Sequence, residues 1–185
     1  MKLYPYFYSA LAAIVLTSCT SSEIPPKSQS DPSRLKVVTV DEKTKIVMGQ
    51  TIYVPVYSHI YYQNQEKVLN LAATLSVRNT DLNKPMIITS VRYYDSNGKV
   101  VKQFLARPVQ LSAMASTDFV VDSTDTSGGS GANFIVEWVA EKEIFEPVVE
   151  AVMIGTESNR GISFVSPGKV IKSQRSSGGD LQKLR

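Results

Sequence analysis

The chain has 185 residues, with 20 Lys and Arg against 17 Asp and Glu, one His and one Cys. This length predicts one domain, and the interspersed charges give nucleic-acid binding little support. A lone cysteine excludes an intrachain disulfide, and a lone histidine argues against a metal site. No cofactor is predicted.

Residues 1–18 are predicted to be a signal peptide. Lys2 supplies the positive start, and the apolar core at 10–16 is far shorter than the roughly 20 residues of a membrane-spanning helix. The segment "LTSC" at 16–19 resembles the bacterial lipobox. The resemblance implies that the chain is cut before Cys19 and that Cys19 is acylated, since two or three acyl chains hold a membrane stably. An ordinary signal peptide or an uncleaved anchor is the alternative.

Three further regions follow the predicted signal peptide. Residues 19–36, rich in Ser and Pro, are predicted to be the acylated cysteine and a flexible tether. Residues 37–171 are predicted to fold, and the polar residues 172–185 to form a disordered tail. Thr20 follows Cys19, and by analogy with the enteric sorting rule this favours the outer membrane, facing the periplasm, over the inner membrane.

The predicted folded region has a hydrophobic period of two, which indicates antiparallel strands. In "LNLAATLSVRN", Leu71, Leu75 and Val77 fall on one face, and in "MIITSVRYYD" Ile87 and Val91 share a face. The Asn97-Gly98 pair predicts a hairpin turn. About seven strands and no helix predict an all-β, immunoglobulin- or fibronectin-like antiparallel sandwich without a disulfide. Trp138, aligned with Phe134 and Val136, is predicted to lie in the core.

Four blocks resemble an uncharacterised family of bacterial secreted proteins and lipoproteins, which is known only as a domain of unknown function. The blocks are "YVPVYSHIYY", "RNTDLNKPMIITSVRYYD", "GGSGANFIVEW" and "EPVVEAVMIGT". The resemblance covers about residues 48–171 and implies export. It implies no activity and no catalytic residues.

The first candidate site is the segment "TIYVPVYSHIYY" at 51–62. Read as one strand, it places four side chains in a row: Tyr53, Tyr57, His59 and Tyr61. Pro55 has no N–H for a ladder, so the segment is predicted to be an edge strand. The row is then either a recognition stripe, whose rings stack on sugars or apolar groups, or a surface covered by the tether or a neighbouring loop.

The second candidate is the loop "DSTDTSGGSGANF" at 122–134. Ser130 stands in "GGSGA", but a serine nucleophile elbow needs a preceding strand and a following helix, and the only histidine lies far upstream. Asp122 and Asp125 offer a possible loop site for calcium, although the oxygen spacing is sparse. A flexible connecting loop is the alternative.

Carboxylates such as Glu137 and Glu150 alternate with apolar residues, which is typical of a solvated strand face rather than of a paired catalytic site. The sequence therefore predicts a non-enzymatic, lipid-anchored binding or accessory module of the bacterial cell envelope, with an envelope protein or polysaccharide as partner. The alternative is an envelope enzyme that acts on the cell wall or on a glycan.

Overall fold

The computed structural model describes residues 35–157 and 160–176. It contains thirteen strands: Lys36–Val37 (β1), Met48–Pro55 (β2), His59–Tyr62 (β3), Lys67–Asn70 (β4), Ala72–Arg78 (β5), Met86–Tyr94 (β6), Val100–Gln103 (β7), Val109–Leu111 (β8), Ser116–Val121 (β9), Asn133–Ala140 (β10), Val148–Glu157 (β11), Arg160–Pro167 (β12) and Lys169–Arg175 (β13). The described residues include no helix, and hence none that could cross a membrane. The predicted signal peptide, Cys19 and the tether up to residue 34 lie outside the described residues, as do residues 177–185.

Two antiparallel sheets and a separate hairpin make up the fold. The larger sheet has the order β1-β8-β6-β10-β2-β13, with β7 also paired to β6, and the smaller has the order β12-β11-β5-β9. The β3–β4 hairpin forms its own two-stranded sheet. The predicted all-β antiparallel fold is confirmed. The strands are more numerous than the predicted seven because several have only two to four residues, too few for a clear alternation.

The core lies between the two sheets and follows the predicted alternation. β5 buries Ala73, Leu75 and Val77, and β10 buries every second residue from Phe134 onward. Trp138 is 1% exposed, which confirms its predicted position in the core. An aromatic cluster of Tyr93, Phe104, Phe119 and Phe134 links the sheets, with ring centroids 5.1–5.9 Å apart.

A β-bulge corrects the predicted facing of β6. Glu137 pairs with Ser90 but Trp138 pairs with Ile88, so Thr89 is the extra residue. The bulge changes the phase of the alternation, because two residues oppose one on the partner strand. Ile88, rather than the predicted Ile87, therefore joins Val91 on the core side.

The Asn97-Gly98 turn joins β6 to β7 as predicted. Gly98 has φ +79° and its N–H donates to the Asp95 carbonyl over 3.0 Å. Gly98 takes this conformation without the steric cost that a Cβ imposes. Asn97, unlike Gly98, is not among the residues with positive φ.

β13 corrects the predicted boundary at residue 171. It continues to Arg175 and pairs with β2 from the Lys169–Tyr53 pair to the Arg175–Met48 pair. All of its side chains are exposed, so its backbone hydrogen bonds rather than a buried face hold it in place. Residues 172–175 are thus part of the sheet and not of a disordered tail.

Candidate functional site

The segment predicted to be one edge strand is divided between two elements. β2 ends at Pro55, and β13 and β10 flank it on its two sides, so the edge-strand prediction is wrong. Pro55 is tolerated because the pairing of β13 with β2 begins at the Lys169–Tyr53 pair, so no residue of β13 pairs with Pro55. Tyr53 accordingly lies half-buried within the large sheet, between Ile135 and Lys169.

Beyond Pro55 the chain leaves the sheet and attaches to the loop at 122–132. The Val56 N–H donates to the Ala132 carbonyl over 3.0 Å, and the Ser58 N–H to the Gly129 carbonyl over 3.1 Å. Ser58 is fully buried, and its Oγ also lies 3.0 Å from the Gly129 carbonyl oxygen. These bonds fix the point from which the β3–β4 hairpin projects.

The hairpin packs one side on the body and presents the other to solvent. Ile60 and Leu69, paired across the hairpin, are partly buried against the core. Tyr61 and Val68 form the next pair on the opposite side, and they are 52% and 44% exposed. Gln63, Asn64 and Gln65 in the turn have φ of 50°, 57° and 70°, a left-handed run that is uncommon outside glycine.

A hydrogen-bonded chain holds the Tyr61 ring. The Tyr61 hydroxyl lies 3.2 Å from His59 Nε2, and His59 Nδ1 lies 3.3 Å from Ser58 Oγ. Ser58 Oγ donates to the Gly129 carbonyl, and the direction of the two bonds that His59 makes follows its tautomer. The two rings stand edge to face, with centroids 5.1 Å apart and an interplanar angle of 89°.

Tyr57 has a separate support. Its ring contacts Phe164 of β12 edge to face, with a centroid distance of 6.0 Å, and it is 40% exposed. Tyr57, His59, Tyr61 and Val68 are named the hairpin patch below. The structure therefore places His59 and Tyr61 on β3 and Tyr57 in the segment that leads into it, and it leaves Tyr53 in the sheet.

The two aspartates of the loop at 122–132 accept hydrogen bonds from residues two positions later in the same loop. Asp122 Oδ1 accepts from the Thr124 N–H over 2.9 Å and from its hydroxyl over 2.8 Å, and these bonds, the backbone one foremost, lower the pKa of Asp122. Asp125 Oδ1 accepts from the Ser127 N–H over 3.1 Å and from the Ser127 hydroxyl. Among the described residues, no group of three or more His, Cys, Asp or Glu side chains is placed to hold a metal ion.

The glycines of this loop serve close packing. A Cβ on Gly128 would overlap the buried Tyr93 hydroxyl. Burial raises the pKa of Tyr93 to about 12. Ser96 Oγ donates to the Gly128 carbonyl and accepts from the Gly131 N–H, so the loop is tied to the body.

The carboxylates of the strand faces form ion pairs. Glu137 lies 2.9 Å from Arg92 on the outer face of the large sheet, and Glu150 lies 3.7 Å from Arg78. A cleft of ≈ 180 Å³ beside Glu137 and another of ≈ 260 Å³ beside Lys84 are both smaller than the roughly 300–1,000 Å³ of most small-molecule sites.

Sequence reasoning missed a buried polar centre in the loop between β5 and β6. The Asn79 side-chain amide donates to the carbonyls of Lys84, Leu111 and Ser112 over 2.8–3.3 Å. Asp81 Oδ1 accepts from the N–H groups of Asn83 and Lys84, and Oδ2 from the Phe145 N–H. The Asn83 N–H is the strongest influence that lowers the pKa of Asp81. The signal lay in "NTDLN", where Asn79 Oδ1 accepts from the Asp81 N–H over 3.0 Å and Asp81 Oδ1 in turn accepts from the Asn83 N–H.

Comparisons with known proteins give a family and no activity. A crystal structure of Thermotoga maritima 1070 is similar at 14% identity and a TM-score of 0.43, over 65% of this chain and 92% of that one. A search of curated proteins finds no match. The family model described as "Protein of unknown function (DUF3124)" matches residues 49–171. The chain therefore belongs to the DUF3124 family.

Proposed function

We propose that this protein is a lipid-anchored, non-enzymatic binding module of the bacterial cell envelope, and that the hairpin patch contacts its partner. The partner is an envelope protein or a polysaccharide. The acylated Cys19 holds the chain in a membrane, with the outer membrane, facing the periplasm, favoured.

The observation that carries the proposal is the support given to two exposed tyrosines. Tyr61 is hydrogen-bonded to His59, and Tyr57 is packed against Phe164, yet both rings remain 40–52% exposed. Binding costs less conformational entropy when the contacting side chains are already ordered. Tyrosine also combines apolar area with a hydrogen-bonding tip, which is why it is enriched at interfaces.

Capture from detergent-solubilised envelope tests the patch. The double variant Tyr57→Ser with Tyr61→Ser is expected to melt within about 2 °C of wild type, because these rings lie outside the core, and to lose at least about tenfold in capture. Tyr61→Phe keeps the ring and is expected to retain most capture if stacking dominates.

Phe145→Ser is the matched control, since Phe145 is an exposed aromatic in the distant loop between β10 and β11. It is expected to capture as wild type does. If the tyrosine variant unfolds, the patch belongs to the core. If the variant folds and still captures, recognition lies elsewhere, and the loop at 122–132 is the next site to vary.

Intact-mass analysis of the protein from membranes tests the anchor separately. The wild-type mass is expected to match a chain that begins at Cys19 and carries acyl groups, and Cys19→Ser is expected to lack them. A wild-type mass without acyl groups contradicts the anchor.

A further inference from the structure

Three side chains stand out among the described large hydrophobic residues by their exposure. Phe145 is 69%, Leu82 is 67% and Met114 is 63% exposed, more than any other large hydrophobic side chain in the described ranges. They belong to three different loops: 79–85 between β5 and β6, 112–115 between β8 and β9, and 141–147 between β10 and β11. Single exposed hydrophobics are ordinary, but three at one place mark an interaction surface.

These three residues meet around Asp81. Leu82 follows Asp81 in the chain, the Met114 N–H donates to the Asp81 carbonyl over 3.1 Å, and the Phe145 N–H donates to Asp81 Oδ2 over 3.3 Å. The three loops are named the Asp81 pole below. The three loops thus meet at one buried residue, Asp81.

Further bonds make the Asp81 pole a fixed platform. Thr80 Oγ1 donates to the Glu146 carbonyl over 2.8 Å, and Lys84 Nζ donates to the Glu143 carbonyl over 2.7 Å. The Asn79 amide joins the first loop to the Ser112 carbonyl over 3.0 Å. The apolar side chains therefore project from loops that are tied to one another.

The described chain begins at this same pole. β1 pairs with β8 through Lys36–Gln110, so Leu35 lies one step further, towards Leu111 and the 112–115 loop. Fifteen residues separate Leu35 from Cys19, and a chain of that length spans at most about 55 Å. The tether from an anchor at Cys19 therefore joins the domain on the side that carries the three side chains, within about 55 Å of the membrane.

The hairpin patch lies at the other end. Ser58, from which the hairpin projects, is bonded to the loop at 122–132, and that loop is bonded to Ser96 in the β6–β7 turn. β6 runs from Met86, beside the Asp81 pole, to Tyr94, beside this turn. A domain that rests on the Asp81 pole turns the hairpin patch away from the membrane.

We propose that the Asp81 pole rests on the phospholipid bilayer, with Leu82, Met114 and Phe145 inserted at its interface. The inference depends on the proposed Cys19 anchor. Side chains that project from separate loops suit insertion between lipids better than they suit a peptide, which needs a groove. Neighbouring charges have both signs, as in Glu141 and Lys142, so apolar burial rather than attraction to anionic lipid drives the contact. The anchor makes this weak contact intramolecular and so raises its occupancy.

A unique thiol provides the test, because Cys19 is the only native cysteine and acylation blocks it. Acylated full-length Met114→Cys is labelled with a nitrobenzoxadiazole fluorophore and placed in phosphatidylethanolamine–phosphatidylglycerol vesicles that contain doxyl-labelled lipid. Asn97→Cys, exposed in the β6–β7 turn at the far end, is the matched control. The lipid quencher is expected to reduce emission at position 114 at least twofold, and to change emission at position 97 by less than about a tenth.

Equal and weak quenching at both positions of the acylated protein overturns the inference and leaves the anchor intact. Concentration-dependent self-association that shields position 114 from the lipid quencher also overturns it, because the pole then contacts a second copy. If intact mass shows no acyl group, the anchor fails by itself. In that case, flotation of the wild-type protein with vesicles is measured instead. Membrane contact by the Asp81 pole is supported if the wild type floats and the triple variant Leu82→Ser/Met114→Ser/Phe145→Ser does not. A wild-type protein that does not float overturns the inference.

Discussion

Replacing Trp138 with alanine tests the packing of the two sheets. Trp138 is 1% exposed on β10, where it pairs with Gln50 of β2 and Ile88 of β6. Its Nε1 has no hydrogen-bond partner among the described residues, so its contribution comes from packing. Truncating a fully buried tryptophan costs about 3–5 kcal/mol.

The expected loss of stability can be converted into a decrease in melting temperature. A folded unit of about 140 residues has an unfolding entropy of roughly 0.3 kcal/mol/K near its midpoint, so 3–5 kcal/mol corresponds to a decrease of about 10–17 °C. Calorimetry or far-UV circular dichroism measures it. Trp138→Phe keeps most of the apolar area and loses no hydrogen bond, so it is expected to cost less than about 2 kcal/mol.

Val120→Ala is the matched surface control. Val120 is 48% exposed on β9 and its truncation is expected to change stability by at most about 0.5 kcal/mol. A Trp138→Ala variant that melts within about 3 °C of wild type refutes the reasoning. So does a wild-type tryptophan emission maximum typical of a solvent-exposed indole, since Trp138 is the only tryptophan.

Two further predictions concern the loops at the two ends. Gly128→Ala is expected to destabilise the protein by about 1–3 kcal/mol in thermal melts, because the new methyl group overlaps Tyr93, and Tyr93→Phe should relieve part of that cost; a Gly128→Ala variant as stable as wild type would show that the loop can move away. The lowered pKa of Asp81 means that its ionised form stabilises the fold: this contribution is complete well above the ordinary value of 3.8 and is lost as the pH falls through 3.8 towards the lower folded-state pKa. Asp81→Asn should therefore flatten the stability profile between about pH 5 and 2, and a profile as steep as that of wild type contradicts the account.

The sequence predicted the strand faces well because alternation is a local property. Leu75, Val77 and Phe134 are buried as the period of two required, since the core side of a strand is fixed once its first inward residue is fixed. The exception is β6, where the bulge at Thr89 depends on the pairing with β10 and leaves no mark in the composition.

The strands that pair with β2 could not be predicted from hydrophobic alternation. Pro55 predicts an edge strand, but it only ends β2, and β13 is the edge strand on this side of the described sheet. The residues of β13 are exposed along its whole length, so they carry no hydrophobic pattern that separates a strand from a polar tail. Pairing with β2 decides the outcome, and it uses main-chain N–H and C=O groups that polar residues carry as well as apolar ones.

The candidate site was predicted in part. Tyr57, His59 and Tyr61 were recognised by their alternation, and that alternation places His59 and Tyr61 side by side. Tyr57 is held by Phe164, more than 100 residues later in the chain, and Asp81 by the Phe145 N–H. Contacts over such sequence separations are set by the fold, so the sequence indicated the residues and not their supports.

Site-specific photocrosslinking in intact cells tests the central claim most directly, namely that the hairpin patch binds an envelope partner. A photoreactive phenylalanine analogue replaces Tyr61, and a second strain carries it at Asn97, which lies at the same end of the domain but outside the patch. The account predicts a discrete adduct of higher mass from position 61, which disappears when Tyr57→Ser is added, and none from position 97. Adducts that are absent at position 61, or equal at both positions, would contradict it.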